Sequence, residues 1–237
     1  MKRFFVFLLV LAALPAFAQS RTSNRNPGGQ LSIGVRSTVS LFSGAGGAGN
    51  GIGGQFRLRF YDFLNSEWFA DYLNSSVGTL GTRTDYHIGW SVMFYLPGTV
   101  QKYKHLKPIP YFLAGHCFDY TRIQGNNPFY ETNSMASRWS SAVQMGIGMH
   151  IPLTPKIDFS ASAQYMYHLG EEVFVETRTA VNGDQYLYVY KGAESGLEGH
   201  LLLTGSLNIR IADLWHDKKG ALGNGPHVDP DDSQQQQ

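Results

Sequence analysis

From Tyr86 onward, apolar residues alternate with polar or small ones. Tyr86, Ile88, Trp90, Val92, Phe94 and Leu96 share one parity; Asp85, His87, Gly89, Ser91, Met93 and Tyr95 share the other. Successive strand side chains point to opposite faces, so this pattern predicts a strand with one greasy face and one mostly polar face. The pattern returns in Val143 to Ile151, with Gln144 and His150 on the polar parity. It returns in Ile157 to Leu169 against Asp158, Ser160, Ser162, Gln164, Met166 and His168. Leu201 to Ile211 alternates with Thr204, Ser206, Asn208 and Arg210. Leu31 to Leu41 carries Arg36 and serines on its polar face, and Gln55 to Tyr61 sets Arg57 and Arg59 against Phe56, Leu58 and Phe60. Glu67 to Val77 and Tyr111 to Arg122 are rougher strands. In the second of these, the parity of His116 and Cys117 is ambiguous.

Eight such strands fit two architectures. A soluble sandwich or lipocalin-type barrel hides the greasy face, whereas a membrane barrel turns it outward and keeps a polar interior. Charges and glutamines on the polar face favour the second. So does strand length, since about 9 to 11 residues cross a bilayer. Aromatic residues also gather near strand ends, at Phe60, Phe63, Trp68, Phe94, Tyr95, Tyr111, Tyr120, Tyr167 and Trp215, as interfacial girdles require. The fold expected is all-β, a closed antiparallel eight-stranded transmembrane β-barrel in up-and-down order, spanning 31–215.

The N-terminus supports export. Lys2 and Arg3 precede an apolar run from Phe4 to Leu14, and Ala16-Phe17-Ala18 follows Pro15. That is the layout of a secretory signal peptide over 1–18. The run is too short for a spanning helix, and no Cys follows the cut to carry a lipid. Residues 19–30 read as a periplasmic lead and 216–237 as a disordered polar tail ending in four glutamines. Charge is sparse, at 16% of residues, and the formal net charge is +1, which argues against a nucleic-acid partner. The single cysteine, Cys117, excludes an internal disulfide and reads as an inert thiol.

Loop lengths set the orientation. Asp62 to Ser66 and Pro152 to Lys156 are tight, whereas Ile123 to Ser137 and Gly170 to Gly199 are long. Short periplasmic turns and long external loops then place both termini in the periplasm. Leu80 to Arg83 is shorter than this rule expects of an external loop, and the basic segment Pro97 to Pro108 is longer than it expects of a turn. The glycine-rich stretch from Gly44 to Gly54 lacks the Lys and following helix of a nucleotide loop and reads as a flexible external loop. The final loop contains two strand-like runs, Val173 to Arg178 and Tyr186 to Lys191, around Asn182-Gly183, so a hairpin is expected there. It is the candidate surface for an extracellular partner, which strand addition at its edges would suit. The plainer expectation is that it continues the barrel wall into solvent. Its acidic residues, Glu171, Glu172, Glu176, Asp184, Glu194 and Glu198, read as a solvated face.

The interior polar network is expected to contain Arg36, Arg57, Arg59, Asp71, Asp158, Arg210, His168 and His200. Antiparallel partners share one index sum. One register of the last two strands pairs Asp158 with Arg210 and His168 with His200, and one register of the second and third strands pairs Arg57 with Asp71. Buried charges need such partners, and a bore of eight strands can be filled by side chains.

No catalytic, cofactor or metal site is assigned. His87, His168 and His200 could bind a transition metal, but no acidic ligand stands beside them at a recognised spacing. The His-x-Ser signature of one lipid A deacylase family is missing. Gly89, Phe118, Pro152, Gly170 and Leu202 stand where its Ser would be.

On signal peptide, strand count, alternation and aromatic strand ends, the chain resembles the small eight-stranded outer-membrane barrels, OmpX-like proteins and the membrane domain of OmpA. The segment Asp85-Tyr86-His87-Ile88-Gly89-Trp90 is similar to outer-membrane β-barrel proteins of Bacteroidetes. The resemblance implies residence in the bacterial outer membrane among lipids and lipopolysaccharide, and assembly by the outer-membrane insertion machinery. It covers Leu31 to Trp215 and carries no sharp motif. The chain departs from these barrels by continuing past Trp215, where many of them end on an aromatic residue. Three functions are carried forward: a structural or surface-interaction barrel with a plugged bore, a narrow channel for small solutes, and a lipid A-modifying enzyme. The first is expected, and it is not an enzyme.

Overall fold

The computed structural model describes residues 28–42, 47–96, 105–126, 134–196 and 198–215. The signal peptide, nearly all of the N-terminal lead, the polar tail and most of the basic 97–108 connection lie outside them.

The described residues form strands and turns. In chain order the strands are β1 (Gln30–Phe42), β2 (Ala48–Tyr61), β3 (Leu64–Val77), β4 (Gly81–Tyr95), β5 (Ile109–Gly125), β6 (Met135–Pro152), β7 (Ile157–Thr179), β8 (Gln185–Gly196) and β9 (Gly199–Asp213). All pairings are antiparallel. The order runs β6-β5-β4-β3-β2-β1-β9-β7, and β6 pairs with β7 to close an eight-stranded barrel, with β8 outside the ring. Glycine does not keep Ala48 to Gly54 out of the sheet. Expected as loop, this stretch is the first half of β2, paired with β1 and β3.

Polarity is inverted relative to a soluble domain. Val35, Ile52, Ile88, Phe112, Met145, Ile147 and Leu207 all point outward and are exposed. Arg36, Arg57, Asp85, His87, Asp119, Gln144, His168 and Asn208 point inward and are buried. Outward aromatics form a continuous row near one end, where ring centroids lie 5.2 Å apart for Tyr72–Tyr86, 6.1 Å for Tyr86–Tyr120 and 4.8 Å for Tyr120–Trp139. Near the other end stand Phe60–Trp215 and Tyr61–Phe63. From Tyr86 to Phe94 the strand rises about 26 Å at ~3.3 Å per residue, and tilting leaves a band of the order of the 25 Å apolar belt of such barrels. Tyr95 and Tyr111, expected in the girdle, instead turn into the bore and are 4% exposed. There they pack with Met93 and Leu113.

His116 and Cys117 now have faces. Cys117 is buried inward with Phe69, Ala142, Met166 and Leu202. His116 faces outward, and its Nε2 lies 2.6 Å from Ser141 Oγ. That partner satisfies a polar ring on an apolar wall.

The hairpin is partly as expected. β7 runs unbroken from barrel wall into hairpin, so the wall does continue. Gly183, with φ of 92°, supplies the left-handed residue of its tip, and Asn182 Oδ1 accepts from Asp184 N at 3.1 Å. The hairpin also leans over the barrel mouth. Val173, Leu187 and Val189 are buried against Val77 and Ile123, and any side chain at Gly81 would strike Leu187. Its inner face is a hydrophobic lid rather than a free surface.

Candidate functional site

The inward side chains form two polar layers. The layer nearer the tight turns centres on Arg57. Its Nε donates to Glu67 Oε2 at 3.0 Å, its Nη1 to Asp158 Oδ1 at 3.0 Å and its Nη2 to Ser160 Oγ at 2.7 Å. Arg36 lies beside it, with Nε 3.0 Å from Asp71 Oδ1 and Nη1 3.3 Å from Glu67 Oε1. Gln55 Nε2 donates to Asn208 Oδ1 at 2.6 Å. Room for these groups comes from small residues opposite them: a Cβ on Gly53 would collide with Asp71, and one on Gly34 with Asn208.

The second layer lies under the lid. Arg83 Nε donates to both oxygens of Asp85, at 3.1 and 3.0 Å, and its Nη1 to Glu198 Oε1 at 2.6 Å. Arg138 shares Glu198 through its other oxygen. Thr121 Oγ1 donates to Asp85 Oδ1 at 2.7 Å, and lies 2.9 Å from Asp119 Oδ2. Asp119 lies 3.2 Å from His87 Nε2 and 3.2 Å from His168 Nδ1. His168 Nε2 faces His200 Nδ1 at 3.3 Å, and His200 Nε2 lies 3.2 Å from Glu198 Oε1.

Several expected contacts are corrected. The register between β7 and β9 sets Asp158 opposite Asn208 and Met166 opposite His200, two residues away from the register that joins Asp158 to Arg210. Arg210 is half-buried near the turn end, and Asp158 takes Arg57 instead. His168 and His200 do meet, as diagonal rather than direct partners. Between β2 and β3, Arg57 stands opposite Glu67 and Gly53 opposite Asp71, so Asp71 meets Arg36, not Arg57. Arg59 sits at the turn end, with Nη1 3.2 Å from Gln30 Oε1.

The network also contains Glu67, Arg83, Asp85, His87, Asp119, Arg138 and Glu198, which were not assigned to it from sequence. Parity was the available signal: Arg83 and Asp85 share the face of His87, and Glu198 shares that of His200.

Ser, His and carboxylate do meet inside the bore, but not as a catalytic relay. Ser140 and Asp119 both approach Nδ1 of His168, at 3.1 and 3.2 Å. Ser160 and Asp158 both approach Nδ1 of His150, at 2.6 and 3.8 Å. A relay needs serine and carboxylate on opposite ring nitrogens. The outward pair His116–Ser141 has no carboxylate among its described partners.

The hairpin's outer face carries a ladder of cross-strand pairs, Phe174 with Tyr190, Glu176 with Tyr188 and Arg178 with Tyr186. The Arg178 guanidinium lies 3.5 Å over the Tyr188 ring. Hydrogen bonds from Arg178 and from the Tyr190 hydroxyl hold the Glu176 carboxyl below its ordinary range. Such a group stabilises the ladder above its unfolded pKa of about 4.3, and the contribution is lost as pH falls through the lower folded value. An NMR titration of the Tyr190 ring is expected to show a midpoint below that of a free glutamate, and Glu176→Gln to abolish it.

No family model and no curated protein sequence matches the chain. Solved structures do. Neisserial surface protein A aligns with a TM-score of 0.49 at 13% identity, over 76% of this chain and 97% of its own. A major outer-membrane protein of Thermus thermophilus aligns at 0.47 and 12%, over 76% and 99%. Ail, the attachment invasion locus protein of Yersinia pestis, aligns at 0.42 and 13%, over 77% and 97%.

Proposed function

We propose that this chain is an integral outer-membrane barrel with a plugged bore and a structural or surface-interaction role. The inverted polarity supports the membrane reading: apolar side chains on the outside of a closed barrel fit lipid, and the closed ring leaves every barrel strand paired, as hydrocarbon requires. On this reading the tight turns and both termini face the periplasm, and the hairpin faces outward among lipopolysaccharide. The outer ladder of Phe174, Tyr186, Tyr188 and Tyr190 is then the surface available to an extracellular partner. Insertion follows the usual assembly machinery, and no enzymatic step is assigned.

The observation that carries the plugged bore is the filling of its cross-section. Arg57 alone touches side chains from four other strands, β3, β6, β7 and β9, and the apolar lid covers the mouth above. Conductance across a planar bilayer tests this with the native protein, Arg57→Ala and Leu187→Asp. Silence from the native protein is expected. Steady native conductance that changes with Arg57→Ala would establish a solute channel and overturn the proposal.

A further inference from the structure

We infer that the upper layer holds a divalent transition metal of the zinc class, bound by His87, Asp119 and Asp85.

Charge is the first argument. Among the described side chains of the upper layer, the buried Arg83 and Arg138 face the buried Asp85, Asp119 and Glu198. With neutral histidines the balance of this layer is 2 − 3 = −1, which a bound cation offsets. The deficit is local. Glu67, Asp71, Asp85, Asp158 and Glu198 each contact an arginine, whereas Asp119 contacts only histidines and hydroxyls among the described residues. An ionised carboxylate at 0% exposure needs a cation beside it.

Geometry is the second. One ligand atom each from Asp85, His87 and Asp119 lies within 4.8 Å of the others. His87 is fully buried, yet neither of its ring nitrogens makes a hydrogen bond, and Asp119 Oδ1 makes none either. Those two unsatisfied atoms face each other at 3.2 Å. That separation suits one edge of a tetrahedron around zinc, where bonds of ~2.0–2.1 Å place ligands roughly 3.3 Å apart. Asp85 is the looser third ligand, already oriented by Arg83 and Thr121. Outer hydrogen bonds of this kind are what hold a ligating carboxylate in place. Thr121 joins the two carboxylates, and His168 and Ser140 hold the far side of Asp119. A nitrogen and two oxygens suit zinc or cobalt(II) better than copper(I).

The lid covers the layer, so the metal is loaded as the barrel folds. The test is to refold the protein in detergent micelles with Zn²⁺ or Co²⁺, remove free metal, and measure metal content and visible absorption. One metal per chain is expected, with cobalt(II) d–d bands. His87→Asn and Asp119→Asn should each weaken binding at least about tenfold, the scale set by changes around metal ligands. His150→Gln, in the other layer, should leave it unchanged. X-ray absorption of the native zinc-refolded protein reads imidazole coordination directly, so the inference stays testable if a variant does not fold. A natively folded barrel carrying no stoichiometric metal would overturn it and leave an imidazolium as the partner of Asp119. Bound metal indifferent to His87→Asn, or lacking imidazole scattering, would overturn it too.

Discussion

Arg83→Met is expected to destabilise the metal-free barrel by about 3–5 kcal/mol, the usual cost of removing one partner from a buried ion pair. Arg83 is 1% exposed and holds Asp85 through both carboxylate oxygens. Glu198 keeps Arg138 when Arg83 is lost, but Asp85 keeps only the Thr121 hydroxyl among its described hydrogen-bond donors. The methionine also removes the guanidinium from above the Phe42 ring, where it now lies at 4.1 Å. Urea unfolding in micelles or vesicles measures the loss. Arg83→Met with Asp85→Asn should recover part of it, because the orphaned charge is gone. An unchanged midpoint in the single variant would mean that the layer is hydrated and its charges need no partner.

The second large effect belongs to the opposite face. Ile88 points outward from the middle of β4 and is 63% exposed. In water, Ile88→Arg would be nearly neutral. In a bilayer it is expected to cost about 2–4 kcal/mol, the cost of a cation near the midplane of a barrel wall. Refolding into lipid vesicles, with urea unfolding of native and variant, separates the two. A stability difference below ~0.5 kcal/mol, within the range of ordinary surface changes, would remove the support that polarity gives to membrane residence. Leu187→Arg is no substitute, because Leu187 lies in the lid and any charge there would be buried.

Strand number and face assignment were legible because a period of two is a robust signal. Tyr86 to Leu96 and Ile157 to Leu169 point where their parity places them. Register was not legible, for a reason that lies in strand geometry. Two registers that differ by two residues preserve every face assignment, so Asp158 opposite Arg210 and Asp158 opposite Asn208 look alike in sequence. Long side chains then blur pairing further. Arg57 on β2 reaches Asp158 on β7, which is not a neighbouring strand in the ring. Glu198 looked like part of an acidic loop, because nothing in a sequence shows that the loop folds back over the mouth. Tyr95 and Tyr111 looked like girdle residues because interfacial and bore-filling tyrosines have the same composition and position along the strand. His116 and Cys117 were ambiguous because Gly115 leaves no side chain to set the parity beside them.

The seam between β1 and β9 constrains the order of assembly. Most other wall contacts join strands that follow one another in the chain, so each can form as a local hairpin. The seam joins Gln30 to Asp213 and Phe42 to His200, and its closure carries the loop entropy of nearly the whole chain. The polar layers cross it as well, through Arg36 and Thr38 on Thr204 and Gln55 on Asn208. While the seam is open these groups are solvated, and zipping it dehydrates them together. Closing the seam is thus the late, concerted step that turns an open curved sheet into a barrel, and mispaired charges inside would stall it.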